Sequence, residues 1–252
     1  MQVDPSWNLL VALLALLALA VIASRVGRLG HERTMVWAAV RAALQLAAVS
    51  TIIVFAIQRV WASLLFVLLM FAIGVWTTAG RVDTRQALPW TALAMASGVL
   101  PVLLVIFGSG TAPLNGYALI PIGGIVIGNM MTVHTLVGRR VFAELREHVP
   151  TYEAALSLGF ERPTSIQLVM EPVAGESLIP NLNSTRTVGL VTLPGAFVGV
   201  MLGGGTPIQA GAAQLLVLVG IMAGQAVTTT VANHLISRAL LLPDDLVVRL
   251  HE

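Results

Sequence analysis

The chain has 252 residues, 57% of them hydrophobic and 10% charged, with a formal net charge of +2. Soluble domains carry about 25% charged residues, so this composition excludes a soluble fold for most of the chain. Cysteine and lysine are both absent, which excludes disulfides, thiolate metal sites, thiol or Schiff-base catalysis, and a GxxxxGK[ST] phosphate loop in this chain.

Apolar runs predict the elements in order. Asn8–Ala23 is a first span, with Trp7 at its outer edge. Asp4 precedes it and Arg25, Arg28 and Arg33 follow, an asymmetry that favours a retained anchor over a cleaved signal peptide. Thr34–Ile57 is the second span, with Arg41 and Gln45 on one face. Ala62–Ala79, Pro89–Phe107 and Tyr117–Val137 are the third, fourth and fifth, and Arg139–Val149 extends the fifth beyond the bilayer. Thr187–Leu202 and Ala210–Leu235 are the sixth and seventh, followed by a polar tail.

Arginine gathers in every second loop, with Arg59 the exception. Positive-inside then gives an all-α, polytopic membrane protein of about seven transmembrane helices, N-terminus outside and C-terminus in the cytoplasm.

Glycines recur four apart at Gly124 and Gly128, at Gly195, Gly199 and Gly203, and at Gly220 and Gly224. That spacing predicts close helix packing. Pro194 and Pro121 predict kinks or breaks in the sixth and fifth spans.

Polar groups within or beside spans are the candidates for a transport pathway: Arg41, Gln45, Asn129, Met130, Met131, His134, Glu176 and Asn183, with Pro194. A thioether and an imidazole one turn apart can hold a soft or borderline metal, and Glu171, Glu176, Asn181 and Asn183 offer oxygen to a hard one. Met is also a core gap-filler, and Glu171 equally fits a solvated surface, so the residues assign no metal site. Gln225, Thr228, Thr229, Thr230, Asn233 and His234 fit interhelical hydrogen bonds. His31, His148 and His251 sit in polar segments. Hydrolase elbow, HExxH and paired-carboxylate signatures are absent, so an enzyme is not expected.

The longest polar interval, Glu153–Pro172, holds Glu153, Ala154, Ala155, Gly159, Val169 and Pro172. A short helix stopped by Gly159 is expected there. The spacing resembles the cytoplasmic coupling loop of importer-type ABC permeases, with Glu171 where leucine is usual.

A broader likeness covers most of the chain. PIGGIVIGNMMT at Pro121–Thr132, LIPNLNSTRTVGLVTLPG at Leu178–Gly195, LGGGTP at Leu202–Pro207 and the segment from Arg41 to Leu46 resemble the iron-export ABC permease family of FetB type. Plant proteins linked to aluminium tolerance belong to the same broader family. Ala196–Val200 departs from the family's usual Met-Met-Thr-Gly-Gln and lacks its sulfur and polar groups.

The resemblance implies one permease domain over 1–252, with a coupling segment at 138–186, in a bacterial inner membrane. It implies a homodimer that exports iron or another metal. Glu153, Ala154, Ala155, Gly159 and Pro172 would engage a separate cytoplasmic ATPase, which binds the ATP, so the chain needs no cofactor of its own. A non-metal cargo, a secondary transporter and a membrane scaffold are the alternatives.

Overall fold

The computed structural model describes residues 6–250, so Asp4 and His251 lie outside it. The chain forms two compact units, Met1–Gln58 and Arg59–Glu252.

The first unit is a pair of apolar helices, α1 (Trp7–Val26) and α2 (Glu32–Gln58). Ser6 caps α1 by accepting from the Leu9 amide at 3.3 Å. Ser24 donates to Glu32 at 3.2 Å and ties the inner turn together.

The second unit holds α3 (Val60–Arg81), α4 (Leu88–Gly108), α5 (Gly116–Glu147), α6 (Val149–Ser157), α7 (Arg162–Met170), α8 (Ile179–Thr187), α9 (Gly195–Leu202), α10 (Pro207–Ser237) and α11 (Asp244–Arg249). Short 3-10 turns at Glu171–Val173 and Glu176–Leu178 join α7 to α8. Proline stands in the first turn of α4, α6, α7, α8 and α10. There its missing N–H is one of the helix's unpaired donors in any case. Pro150 and Pro163 thus start helices as well as ending what precedes them. Pro121 does not break α5, which runs through it. The carbonyl it leaves free, that of Tyr117, lies in an exposed first turn where water can pair with it.

Helix directions follow from named contacts. Along α3 and α5, Gly123 lies beside Val67 and Gly138 beside Val82, so the two run parallel. Gly220 of α10 lies beside Val102 and Ile106 of α4, while Gly224 lies beside Gly98, so those two are antiparallel. Gln225 meets Asn129, and farther along Arg146 meets Asp245 just past α10, so α5 and α10 are parallel. Arg81, Arg85, Arg139, Arg140, Arg146 and Arg238 therefore share one end of the unit, and Arg59 stands alone at the other. The positive-inside rule makes the first end the inner one. The Arg85 guanidinium sits 5.3 Å above the Trp76 ring there, an interfacial anchor.

Among the described residues, six helices are long and apolar enough to cross a membrane: α1 to α5 and α10. The span predicted over Thr187–Leu202 is not one helix. Its first residue ends α8, a turn follows, and α9 resumes after Pro194. Gly189 takes a left-handed φ of 88° in that turn, a conformation that suits glycine and ends a helix.

The parallel course of α5 and α10 still requires the chain between them to return across the membrane. The α8–turn–α9 segment makes that return, as a seventh, discontinuous crossing. Residues predicted within the coupling segment at 138–186 thus divide: α6 and α7 stay at the inner face, and α8 climbs.

Candidate functional site

Two features of the second unit bear on function: the broken crossing and the inner platform on which it stands.

The platform is a compact apolar core under the membrane. Tyr152, Leu145, Ile166, Leu242, Leu246 and Leu250 are almost wholly buried in it. A fully buried side chain of this size contributes roughly 1.5–3 kcal/mol, so the platform is a packed core and not a loop. Tyr152 donates to the Leu250 carbonyl at 3.3 Å. Arg146 grips Asp245 through paired bonds of 2.7 and 2.9 Å, holding α11 against α5. That bond holds the Asp245 carboxyl below the ordinary carboxylate range.

On this body α6 ends in a Schellman turn. The Phe160 amide donates to the Ala155 carbonyl at 3.1 Å and the Gly159 amide to Leu156 at 2.9 Å, with Gly159 at φ 89°. Glu153, Ala154, Gly159 and Pro172 are exposed, whereas Ala155 faces the core and is 4% exposed. The turn also presents Leu158, 79% exposed, and Phe160, 49% exposed. Sequence reasoning passed over these two apolar residues. Their position on either side of a helix-ending glycine, within a polar interval, was the available signal.

The platform connects to the crossing through a few polar contacts. Arg140 pairs with Glu176 at the foot of α8, with its second bond at 3.3 Å. The guanidinium holds the Glu176 carboxyl below its ordinary range. Asn233 donates to the Ala174 carbonyl at 3.1 Å, and Ser177 and Thr229 share a hydrogen bond of 3.3 Å. From the level of Thr229 the chain must rise to Pro207, ~33 Å along α10 at ~1.5 Å per residue. That is close to the ~30 Å hydrocarbon core.

The residues between α8 and α9 form a turn, with the Gly189 amide donating to the Thr192 carbonyl at 2.9 Å. Upright, α8 and α9 account for ~13 and ~12 Å of that rise, and this turn for the remaining ~8 Å. The Gly203–Thr206 turn folds α9 back along the outer end of α10, where Thr206 and Gln209 form a capping box. The break thus lies between the inner and outer ends of this crossing.

α8 is polar and none of its residues is buried; Asn183, Ser184, Arg186 and Thr187 are exposed. In the break itself Leu190, Val191 and Leu193 are 92%, 77% and 61% exposed.

The structure separates the predicted pathway residues. Met130 and His134 lie on the packed face of α5, 0% and 1% exposed. Thr228 donates to the Met130 sulfur at 3.1 Å. Among the described residues, neither His134 ring nitrogen has a hydrogen-bond partner, nor has the buried Thr78 hydroxyl at the same level of α3. Met131 is half-buried, its sulfur close to Gly74. The opposite face of α5 exposes Gly128 and Thr132 and leads down to Arg140, with Asn129 at its edge. Asn129 and Thr132 bond back to the Ile125 and Gly128 carbonyls at 2.9 and 3.0 Å. Arg41 and Gln45 are exposed on α2, in the first unit.

The glycines separate as well. A Cβ on Gly224 would lie 3.1 Å from the Gly98 carbonyl, and one on Gly124 2.9 Å from Met70. Gly128, Gly195 and Gly199 face open space, and Gly203 meets only its own helix's carbonyls. Among the described residues no three His, Asp or Glu side chains converge as a metal site.

A family model described as "Uncharacterised protein family (UPF0014)" matches residues 7–241. The "UPF0014 membrane protein YjkA" of Bacillus subtilis is 33% identical, over 84% of this chain and 86% of its own length. "Protein ALUMINUM SENSITIVE 3" of Arabidopsis thaliana is 28% identical over 92% of this chain and 84% of its length. The "Probable iron export permease protein FetB" of Escherichia coli is 28% identical over 84% and 83%. No solved structure matches the chain.

Proposed function

The chain belongs to the UPF0014 family of membrane proteins, and from that premise we propose that it is the permease subunit of an ATP-driven exporter. Two copies enclose the path, a separate cytoplasmic ATPase supplies the work, and the cargo is iron or another metal. The cell membrane of a bacterium is the setting this reading implies.

The observation that carries it is the mechanical linkage from platform to crossing. A discontinuous helix at membrane depth is tolerated where protein or water, not lipid, surrounds it. Here that helix stands on a packed inner body through Arg140 and Glu176, Ser177 and Thr229, and Asn233 and Ala174. A tilt of the body moves the foot of α8 and so the break above it. The exposed polar groups of α8 and the small-residue face of α5 would be costly against lipid, which supports a second copy as their cover. The alternative of a membrane scaffold gives the broken crossing no task. A secondary transporter needs groups deep in the membrane that exchange a proton or bind a coupling ion; His134 is walled into the helix seam, and Arg186 keeps its charge.

The turn after α6 is the handle: Leu158 and Phe160 insert into a groove of the ATPase, Glu153 orients the approach, and Gly159 makes the turn possible. Co-expression of the tagged chain with its phosphate-loop ATPase tests this. Leu158→Asp with Phe160→Asp abolishes co-purification while thermal stability in detergent stays unchanged. Undiminished capture of the ATPase by that double variant contradicts the docking mode. Metal efflux from vesicles holding both proteins, absent when either is omitted, tests the transport itself.

A further inference from the structure

Charge in the membrane-embedded part of the chain is one-sided. Acidic residues of the spanning helices are confined to Glu32, at the start of α2, and to Glu144 and Glu147 in the last turns of α5. The crossing from Ile179 to Leu202 has none. Its one basic residue is Arg186, in the last turn of α8. An upright α8 carries Arg186 next to the break, ~10 Å above Ile179 at ~1.5 Å per residue and so within the hydrocarbon core.

Arg186 is exposed, with Asn183 one turn before it, and no ion pair among the described residues neutralises it. A guanidinium at that depth persists where water or an anion reaches it. Its planar fork donates paired hydrogen bonds to carboxylate and phosphate oxygens. A bare divalent cation meets the reverse situation at the break: like-charge repulsion, and no carboxylate to replace its hydration shell.

We propose that the cargo passes the break as an anion bearing carboxylate or phosphate oxygens, received by Arg186, and that a metal ion passes there only inside an anionic chelate. This deepens the permease reading and rests on it. The side of the path that faces the cargo is then built for the ligand around a metal and not for the metal.

The test is calorimetric titration of the full chain in lipid nanodiscs with four probes: citrate, ferric citrate, inorganic pyrophosphate and, without oxygen, ferrous ion. Citrate or pyrophosphate binds saturably. Arg186→Gln weakens that binding at least about tenfold, the size expected for losing a charge-assisted bond. Arg186→Lys keeps most of it, and Arg238→Gln, at the exposed inner end of α10, leaves it unchanged. Ferrous ion alone gives no saturable heat. Tighter binding of ferric citrate than of citrate marks a chelate as the cargo, and equal binding marks a free anion.

Saturable ferrous binding that survives Arg186→Gln overturns the proposal, as does anion binding indifferent to that substitution, or the absence of any anion binding. Failure of the permease reading registers elsewhere, as loss of ATPase capture and of vesicle efflux. Efflux of bare ferrous ion by the intact pump removes the anion and leaves the permease standing.

Discussion

The seam between α4 and α10 and the crossing formed by α8 and α9 use the same residue pattern to opposite ends. Both carry glycines four apart. In the seam, a Cβ on Gly98 would lie 2.1 Å from the Thr228 hydroxyl and 2.4 Å from the Gly224 carbonyl, so the two backbones touch. In the crossing, a Cβ on Gly195 or Gly199 would meet nothing within 4 Å outside its own helix backbone among the described residues. The first arrangement gains dispersion contacts and fixes the frame; the second leaves a thin helix whose backbone can shift against whatever covers it. A spacing motif reports what a helix permits. What it does is decided by the neighbour.

The strongest way to break this contrast is substitution in the seam. Gly98→Val should cost ~3 kcal/mol or more, because the obstructing atoms include backbone that cannot move aside. Thermal unfolding in detergent should show a large fall. The matched change Gly199→Ala should shift the same transition by less than ~0.5 kcal/mol. Comparable losses from both would erase the distinction.

Next in size is the platform beneath them. Ala155→Trp forces a large ring into a site that is 4% exposed, and should destabilise by ~1–3 kcal/mol. Glu153→Ala, at an exposed position, should leave unfolding unchanged. Thr206→Ala removes the capping box that starts α10 and should cost ~1 kcal/mol.

The smallest effect concerns pH. The Asp245 carboxyl titrates below its unfolded range because of Arg146, so its contribution is present above that range. It is lost as pH falls through the depressed folded value. Both partners are partly exposed, so the loss should be under ~1 kcal/mol. Arg146→Gln should flatten this part of the stability curve, at pH values below the ordinary carboxylate range. An unchanged acid limb would assign the acid sensitivity to other carboxylates.

Much of this architecture was legible in the chain. Long apolar runs flanked by arginine locate α1 to α5 and α10 because lipid admits few alternatives for a backbone. Gly159 announces the end of α6, since its left-handed geometry excludes most other residues. Pro194 announces a break, and the break is there.

The sequence misleads where burial depends on a partner element. Ala155 reads as an exposed docking residue because alanine is small, yet it packs inward, and Leu158 and Phe160 point outward. Met130 and His134 share a face as their spacing predicts, but that face meets Thr228 and the helix seam. Gly98 drew no notice, having no glycine four residues away on its own helix; its match, Gly224, is on another. The polar segment before α9 reads as a cytoplasmic approach to a span, and only the parallel course of α5 and α10 makes it part of the crossing.

The crossing itself is open to a direct measurement, since the chain has no cysteine to confuse labelling. Single cysteines at Glu161 and Gly204, probed in intact cells and in inverted vesicles with a membrane-impermeant maleimide, report the side on which each lies. Glu161→Cys should react from the inner side alone and Gly204→Cys from the outer side alone. Reaction of both from the same side would mean that α8 and α9 do not traverse the membrane, and the account of a broken crossing would fail.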